Sequence, residues 1–216
     1  MKPLAACRLY AFIDTAYLQG RSPEMVAELL CQGGADIVQV RAKTESSKDL
    51  LRMAKRIIPI TRAHGVNLVI NDDILVAREI GAEFCHLGQE DFFGAGHSAV
   101  AALKEKHGLA GIGLSTHGPE QANRSIKAGA DYVAIGPVYR TPTKPSANPV
   151  TLEYVSWAAA NVKIPWFAIG GIHLENLNDV LAAGARRICV VSAILKATDI
   201  VGACREFKRR IVNWPG

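Results

Sequence analysis

The chain has 216 residues, of which 49 % are hydrophobic and 21 % charged, a balance that suits a globular fold with one substantial core and excludes a disordered chain. Its net charge of +5 comes from scattered basic residues, and the densest run, REFKRR near the C-terminus, lies in a helical pattern where a solvated face accounts for it. Nucleic acid is therefore not expected, a small multiply charged anion is the favoured partner, and with no apolar run long enough to span a bilayer the expected location is the cytoplasm.

In chain order, short β-rich runs alternate with longer amphipathic ones. RLYAFID (8–14) reads as a strand and precedes a helix over Pro23–Gln32. DIVQVRA (36–42) precedes Lys48–His64, NLVIND (67–72) precedes Leu75–Ile80, and EFCHLG (83–88) precedes Ser98–Lys106. GIGLST (111–116) is followed by Pro119–Ala128, DYVAIGPV (131–138) by Leu152–Asn161, PWFAIGG (165–171) by Leu174–Ala182, and RICVVSAI (187–194) by a closing helix over Ile200–Val212. Such alternation predicts a single-domain (β/α)₈ TIM barrel over residues 1–216; a doubly wound open sheet is the competitor. A quasi-repeat supports the barrel, because GGADIVQV, GAEFCHLG, GADYVAIG and GARRICVV each place a glycine just before the next strand. The five cysteines are widely spaced, form no CxxC pair and sit among apolar neighbours, so buried reduced thiols are expected.

Barrel sites form at the C-terminal ends of strands and in the loops that follow them. Strand two ends QVRAK, and alternation puts Gln39, Arg41 and Lys43 on one face if Val38 and Val40 face the helices. Two cations turned inward call for an anion, either a ligand or nearby carboxylates. Strand three ends INDD and strand four runs into GQED, which brings Asn71, Asp72 and Asp91 to neighbouring strand ends in a pattern that suits magnesium and a diphosphate; Asp73 reads as a helix cap. Ser115 ends strand five as a hydroxyl that can bond a substrate, while His86 and His117, each isolated in sequence, read as structural. GPVYRTPTK follows strand six with Thr141, Thr143 and Lys144 on a proline-stiffened loop, either a surface turn or an anion-binding lid over Gly136–Pro149. Gly170 and Gly171 end strand seven, and Val191 and Ser192 end strand eight, the places where barrels commonly hold a phosphate.

In this order, QVRAK, NDD, GQED, GLSTH, GPVYRTPTK, AIGGI and VVSAI resemble the thiamine phosphate synthase family from about Leu9 to Ile194. The resemblance implies a transferase joining 4-amino-5-hydroxymethyl-2-methylpyrimidine diphosphate to a thiazole phosphate, or its carboxylate, with magnesium, giving thiamine monophosphate and pyrophosphate. It also implies that Gln39, Arg41, Lys43, Asn71, Ser115 and Lys144 contact the pyrimidine diphosphate, with Arg41, Lys43, Ser115 and Lys144 as the catalytic set. Asp72 and Asp91 would ligate magnesium, and Thr141, Thr143, Gly171, Val191 and Ser192 would hold the thiazole phosphate. Arg140 stands where the family commonly has proline, and PSANPVTLEYV is a variable region. A thiazole tautomerase of the same superfamily, another phosphate-handling barrel and a non-catalytic thiamine phosphate-binding protein are the alternatives, each without membrane or nucleic acid as partner. A homo-oligomer is compatible with the sequence.

Overall fold

Every strand of the computed structural model pairs in parallel with its sequence neighbours, and the first closes on the last in a complete barrel. The structure describes residues 1–141, 143 and 148–215. The strands are β1 (Leu9–Asp14), β2 (Ile37–Arg41), β3 (Asn67–Asn71), β4 (Phe84–Leu87), β5 (Ile112–Thr116), β6 (Tyr132–Ile135), β7 (Trp166–Ala168) and β8 (Ile188–Val190). Around them run α1 (Pro23–Gln32), α2 (Ser47–Ala63), α3 (Ile74–Ile80), α4 (Val100–His107), α5 (Pro119–Lys127), α6 (Thr151–Asn161), α7 (Leu177–Ala182), α8 (Ser192–Leu195) and α9 (Ile200–Val212). Ser22, Ser46, Asp73 and Asp199 cap α1, α2, α3 and α9 with side-chain oxygens, so these helices start where a hydroxyl or carboxylate can take an orphan amide. The predicted repeat holds: Gly34, Gly81, Gly129 and Gly184 all take positive φ before their strands.

Several predicted elements have different bounds: β6 stops at Ile135 and β7 at Ala168, each three residues short of the expected run. The run RICVVSAI is a strand only over Ile188–Val190; Val191 leaves the extended region at φ −111, ψ −88, and Ser192–Leu195 turn into the short helix α8. The helix expected from Leu174 begins at Leu177, because the Asn176 side chain accepts the His173 amide and donates to the Gly171 carbonyl, holding the intervening residues in a turn.

Side-chain alternation divides the apolar residues between two cores. Leu9, Ala11, Ile13, Val38, Val40, Leu68, Ile70, Leu114 and Val133 pack outward against the helices. Tyr10, Phe12, Ile37, Val69, Tyr132, Phe167 and Cys189 fill the barrel itself. Strand two thus has the polarity predicted for it, valines outward and Gln39 inward. The inner core is aromatic, so it needs room on a facing strand: a Cβ on Gly113 would lie 2.0 Å from the Tyr132 ring. Gly113→Ala should therefore cost about 1–3 kcal/mol by overpacking, read as a lower denaturant midpoint, and an unchanged midpoint would show that the ring can yield.

A 3₁₀ turn at Leu4–Ala6 lies at the other end of the barrel, next to the start of β1. Asp36, 6 % exposed, accepts there from Lys2 at 2.5 Å, from Lys208, and from the amides of Arg8 and Leu9 at 2.7 and 3.0 Å. Burial pushes its carboxyl up, but these donors outweigh burial and hold it below the usual range. Burial also pushes the Lys208 ammonium down in spite of the pairing, so the acid limb reports Asp36. A depressed carboxyl contributes stability that is present above its unfolded pKa of about 3.9 and is lost as pH falls through the lower folded value. Asp36→Asn should accordingly flatten the loss of stability below about pH 4 in denaturant melts, and an acid limb as steep as that of the parent would contradict it.

All five cysteines are free and buried. Among the described residues no helix is long and apolar enough to cross a membrane.

Candidate active site

At the C-terminal ends of the strands a cleft of about 770 Å³, its open mouth included, is lined by residues from every strand or the loop after it. From the end of β2, Gln39 is 2 % exposed and donates to the Tyr10 hydroxyl at 2.6 Å. Arg41 also lines the cleft, and its Nη1 donates to the Asp14 carboxylate at 2.8 Å. The register sets this pair, because Asp14 on β1 lies directly across from Arg41 on β2. Asp14 is 1 % exposed, so the inward cation already has a buried counter-ion and its presence alone does not demand an anionic ligand. Guanidinium carries five N–H donors in a fork, which leaves capacity for a ligand beside Asp14.

Lys43 lies in an adjoining hollow, half exposed and paired with Asp72. Asn71 borders both spaces and donates to Asp72 at 2.6 Å. Asp72 takes φ +64, a left-handed conformation that a short polar side chain tolerates better than most and that turns the chain sharply out of β3. Asp73 caps α3 as expected, accepting the Val76 amide at 2.9 Å. Asp91 sits in a π-helical turn at Glu90–Gly94, exposed, and accepts the Gly88 amide at 3.1 Å. Burial first, then the charges of Asp72, Asp73 and Asp91, push the Cys85 thiol up.

The donor set fits magnesium. Asp91, exposed, and Asp72, partly exposed and already paired with Lys43 and Asn71, offer hard carboxylate oxygens, and among the described residues no group of three or more ligating side chains converges. A metal held by two carboxylates, completed by water and substrate oxygens, is the habit of this ion.

Ser115, at the end of β5, meets His86 Nε2 at 2.8 Å, and His86 Nδ1 meets the Tyr132 hydroxyl at 3.0 Å. Gln89 of the GQED run donates to the Ser115 carbonyl at 2.7 Å and is itself held by Arg124, which stacks on Phe93 at 4.0 Å. The turn bearing Asp91 is thereby tied to the strand bearing Ser115.

Across the cleft, Thr141 and Thr143 line the wall, with the Thr143 hydroxyl 3.4 Å from that of Tyr17. The loop after β6 is stitched to the loop after β7 by Val138 N to Ile169 O at 2.9 Å and Tyr139 N to Gly170 O at 3.0 Å. Gly170 and Gly171 are needed for that stitching: with φ of +104 and +65, their added Cβ atoms would strike Pro137 and the Arg140 carbonyl. Backbone approach explains the glycine pair before any ligand does. Gly171, Val191 and Ser192 nonetheless border the same cleft as the two threonines. Lys144, and with it part of the expected lid, lies outside the described residues.

The structure thus gathers Gln39, Arg41, Asn71, Ser115, Thr141, Thr143, Gly171, Val191 and Ser192 around one cleft, with Lys43 and Asp72 in the neighbouring hollow and Asp91 on the adjacent turn. The sequence reading missed His86 and His117, both of which line the cleft, and the paired hydroxyls of Tyr10 and Tyr132 beneath it. Strand parity carried the signal: His86 shares the inward face with Phe84, and Tyr10 with Phe12.

Compared with known proteins, the chain matches the family model described as thiamine monophosphate synthase over residues 9–194. It is 44 % identical over 181 residues to a thiamine-phosphate synthase from Thermus thermophilus, covering 83 % of this chain and 84 % of the relative. A thiamine-phosphate synthase from Halalkalibacterium halodurans is 38 % identical over 205 residues, with 93 % of each chain covered. Among solved structures, the thiamine phosphate pyrophosphorylase from Pyrococcus furiosus superposes with a TM-score of 0.84 at 28 % identity, covering 97 % of this chain and 98 % of the other.

Proposed function

Because the chain belongs to the thiamine monophosphate synthase family, we propose that the cleft couples 4-amino-5-hydroxymethyl-2-methylpyrimidine diphosphate to a thiazole phosphate, releasing pyrophosphate and forming thiamine monophosphate. The observation that carries this reading is the sharing of one cleft by an amide, a guanidinium and a hydroxyl together with a threonine and backbone wall, next to a hollow that holds Lys43 and the Asp72 carboxylate. Two substrates and a leaving group need three such regions.

The chemistry follows from charge. The amino group of the pyrimidine feeds electrons into the ring, so the exocyclic C–O bond can break before the thiazole nitrogen attacks the methylene carbon. Arg41, Lys43 and Lys144 would neutralise the charge that grows on the departing pyrophosphate, each well-placed donor contributing about 3 kcal/mol. Asp72 and Asp91 would hold magnesium, which supplies further neutralisation of the same oxygens when bound. Gln39 and Asn71 would orient the pyrimidine, Ser115 would bond the pyrimidine diphosphate, and Thr141, Thr143, Gly171, Val191 and Ser192 would seat the thiazole phosphate. The reaction needs no covalent nucleophile from the protein.

Positional isotope exchange tests the order of bond making and breaking. With oxygen-18 in the bridging position of the pyrimidine diphosphate, C–O cleavage before coupling should scramble the label into non-bridging positions when an unreactive thiazole analogue fills the other half of the cleft. No scrambling under those conditions, from protein that couples the reactive thiazole phosphate, would favour direct displacement.

A further inference from the structure

The turn that carries Asp91 is gripped on both flanks by a single residue of another element. Arg124, exposed on α5, donates through Nη2 to Gln89 Oε1 at 2.6 Å and lays its guanidinium over the Phe93 ring, 4.0 Å from the centroid. Gln89 stands two residues before Asp91 and Phe93 two residues after it, so the two contacts bracket the carboxylate. Each flank is also anchored from below. Gln89 Nε2 donates to the Ser115 carbonyl at 2.7 Å and to the buried Ser125 hydroxyl at 3.1 Å, and the Phe93 ring lies edge-on to buried Phe92 at 4.8 Å.

The grip has a chemistry of its own. A guanidinium can stack by its plane while its edge donates, which an ammonium cannot do, so the two contacts together call for arginine. Arg124 takes a neutral amide and a ring, while the Asp91 carboxylate between them keeps the Gly88 amide as its partner. The cation thus fixes the backbone on either side of the carboxylate and leaves the carboxylate its charge. The turn itself is π-helical over Glu90–Gly94, a form used mostly at functional sites.

We propose that Arg124 is a positioning residue for the metal site: by clamping Gln89 and Phe93 it holds the Asp91 turn against β5, so that the carboxylate is placed for a divalent cation before substrate arrives. The identity of that cation as magnesium rests on the function proposed above. The sign of the effect separates this role from plain electrostatics. Removing a positive charge near a cation site strengthens cation binding by Coulomb's law, whereas loosening the turn that carries a ligand weakens it.

The test is manganese binding to the substrate-free protein, followed by the spin-resonance signal of the free ion, in the wild type, Asp91→Asn, Arg124→Ala and Arg124→Lys. Arg124→Ala should weaken manganese about tenfold, raise the magnesium concentration for half-maximal rate by a similar factor, and leave kcat at saturating magnesium within about twofold. Arg124→Lys keeps the charge but has no plane to stack, so it should weaken the metal as well, by about threefold or more. Without metal, amide hydrogen exchange over Glu90–Gly94 should quicken in both Arg124 variants. Manganese held by Arg124→Ala as tightly as by the wild type, or more tightly, beside a weakened Asp91→Asn would overturn the proposal and leave the metal site standing; unchanged exchange in the turn would also overturn it. Wild-type binding in Asp91→Asn would strike the metal site itself, and the proposal with it. Manganese binding and exchange need no substrate, so a wild-type protein that makes no thiamine phosphate would defeat the functional reading without touching either result.

Discussion

Asp91→Ala should lower magnesium-dependent turnover about 100-fold, equivalent to about 2.7 kcal/mol of transition-state stabilisation, with the melting midpoint almost unchanged. The stability expectation follows from the position of Asp91. It is exposed on the π-helical turn and accepts the Gly88 amide at 3.1 Å, a bond whose loss at a solvated site costs about 1 kcal/mol or less. The activity expectation follows from charge: with Asp91 removed, Asp72 is left as the carboxylate of the pair, and Asp72 already pairs with Lys43 and Asn71. Asp91→Asn is the sharper variant, since it keeps an acceptor for Gly88 while removing the charge, and it should fail nearly as badly. Initial rates against magnesium concentration for both variants check the expectation; rates within about threefold of the parent at every concentration would remove Asp91 from the metal site.

The second large effect concerns Arg41 and Asp14. Arg41→Met alone should destabilise the protein by about 3–5 kcal/mol, because it leaves Asp14 charged, 1 % exposed and without its guanidinium. The double change Arg41→Met with Asp14→Asn should recover most of that loss, as removal of both partners of a buried pair usually does. Activity should not follow. If Arg41 neutralises the leaving pyrophosphate, both variants should turn over about 100-fold more slowly than the parent or worse. Denaturant midpoints and kcat/KM measured on the same preparations separate the two roles. A double variant that regained turnover along with stability would make Arg41 a structural residue paired with Asp14.

This pair also shows what a linear reading reaches. Alternation along DIVQVRA put Gln39 and Arg41 on the inner face, and the repeat of glycines before strands gave the order of a closed barrel, because both depend on neighbours a few residues apart. That Asp14 answers Arg41 depends on the β1 to β2 register, which joins residues 27 apart and has no local signature. His86 read as isolated for the same reason: its partners Ser115 and Tyr132 lie 29 and 46 residues away on other strands. The end of β8 was misread because VVSAI is as apolar as a strand, whereas barrel closure pairs Ile188–Val190 with β1 and lets Ser192 begin a helix. At Gly170 and Gly171 the motif pointed to the right cleft, but the conformation is imposed by Pro137 and the Arg140 carbonyl.

The central claim is tested most directly by giving the purified protein the pyrimidine diphosphate, the thiazole phosphate and magnesium, and measuring thiamine phosphate as fluorescent thiochrome after oxidation. The expected result is product that requires both substrates and disappears when EDTA removes the metal. Folded protein that forms no product from substrates a control enzyme consumes, or that instead isomerises the thiazole alone without magnesium, would contradict the account.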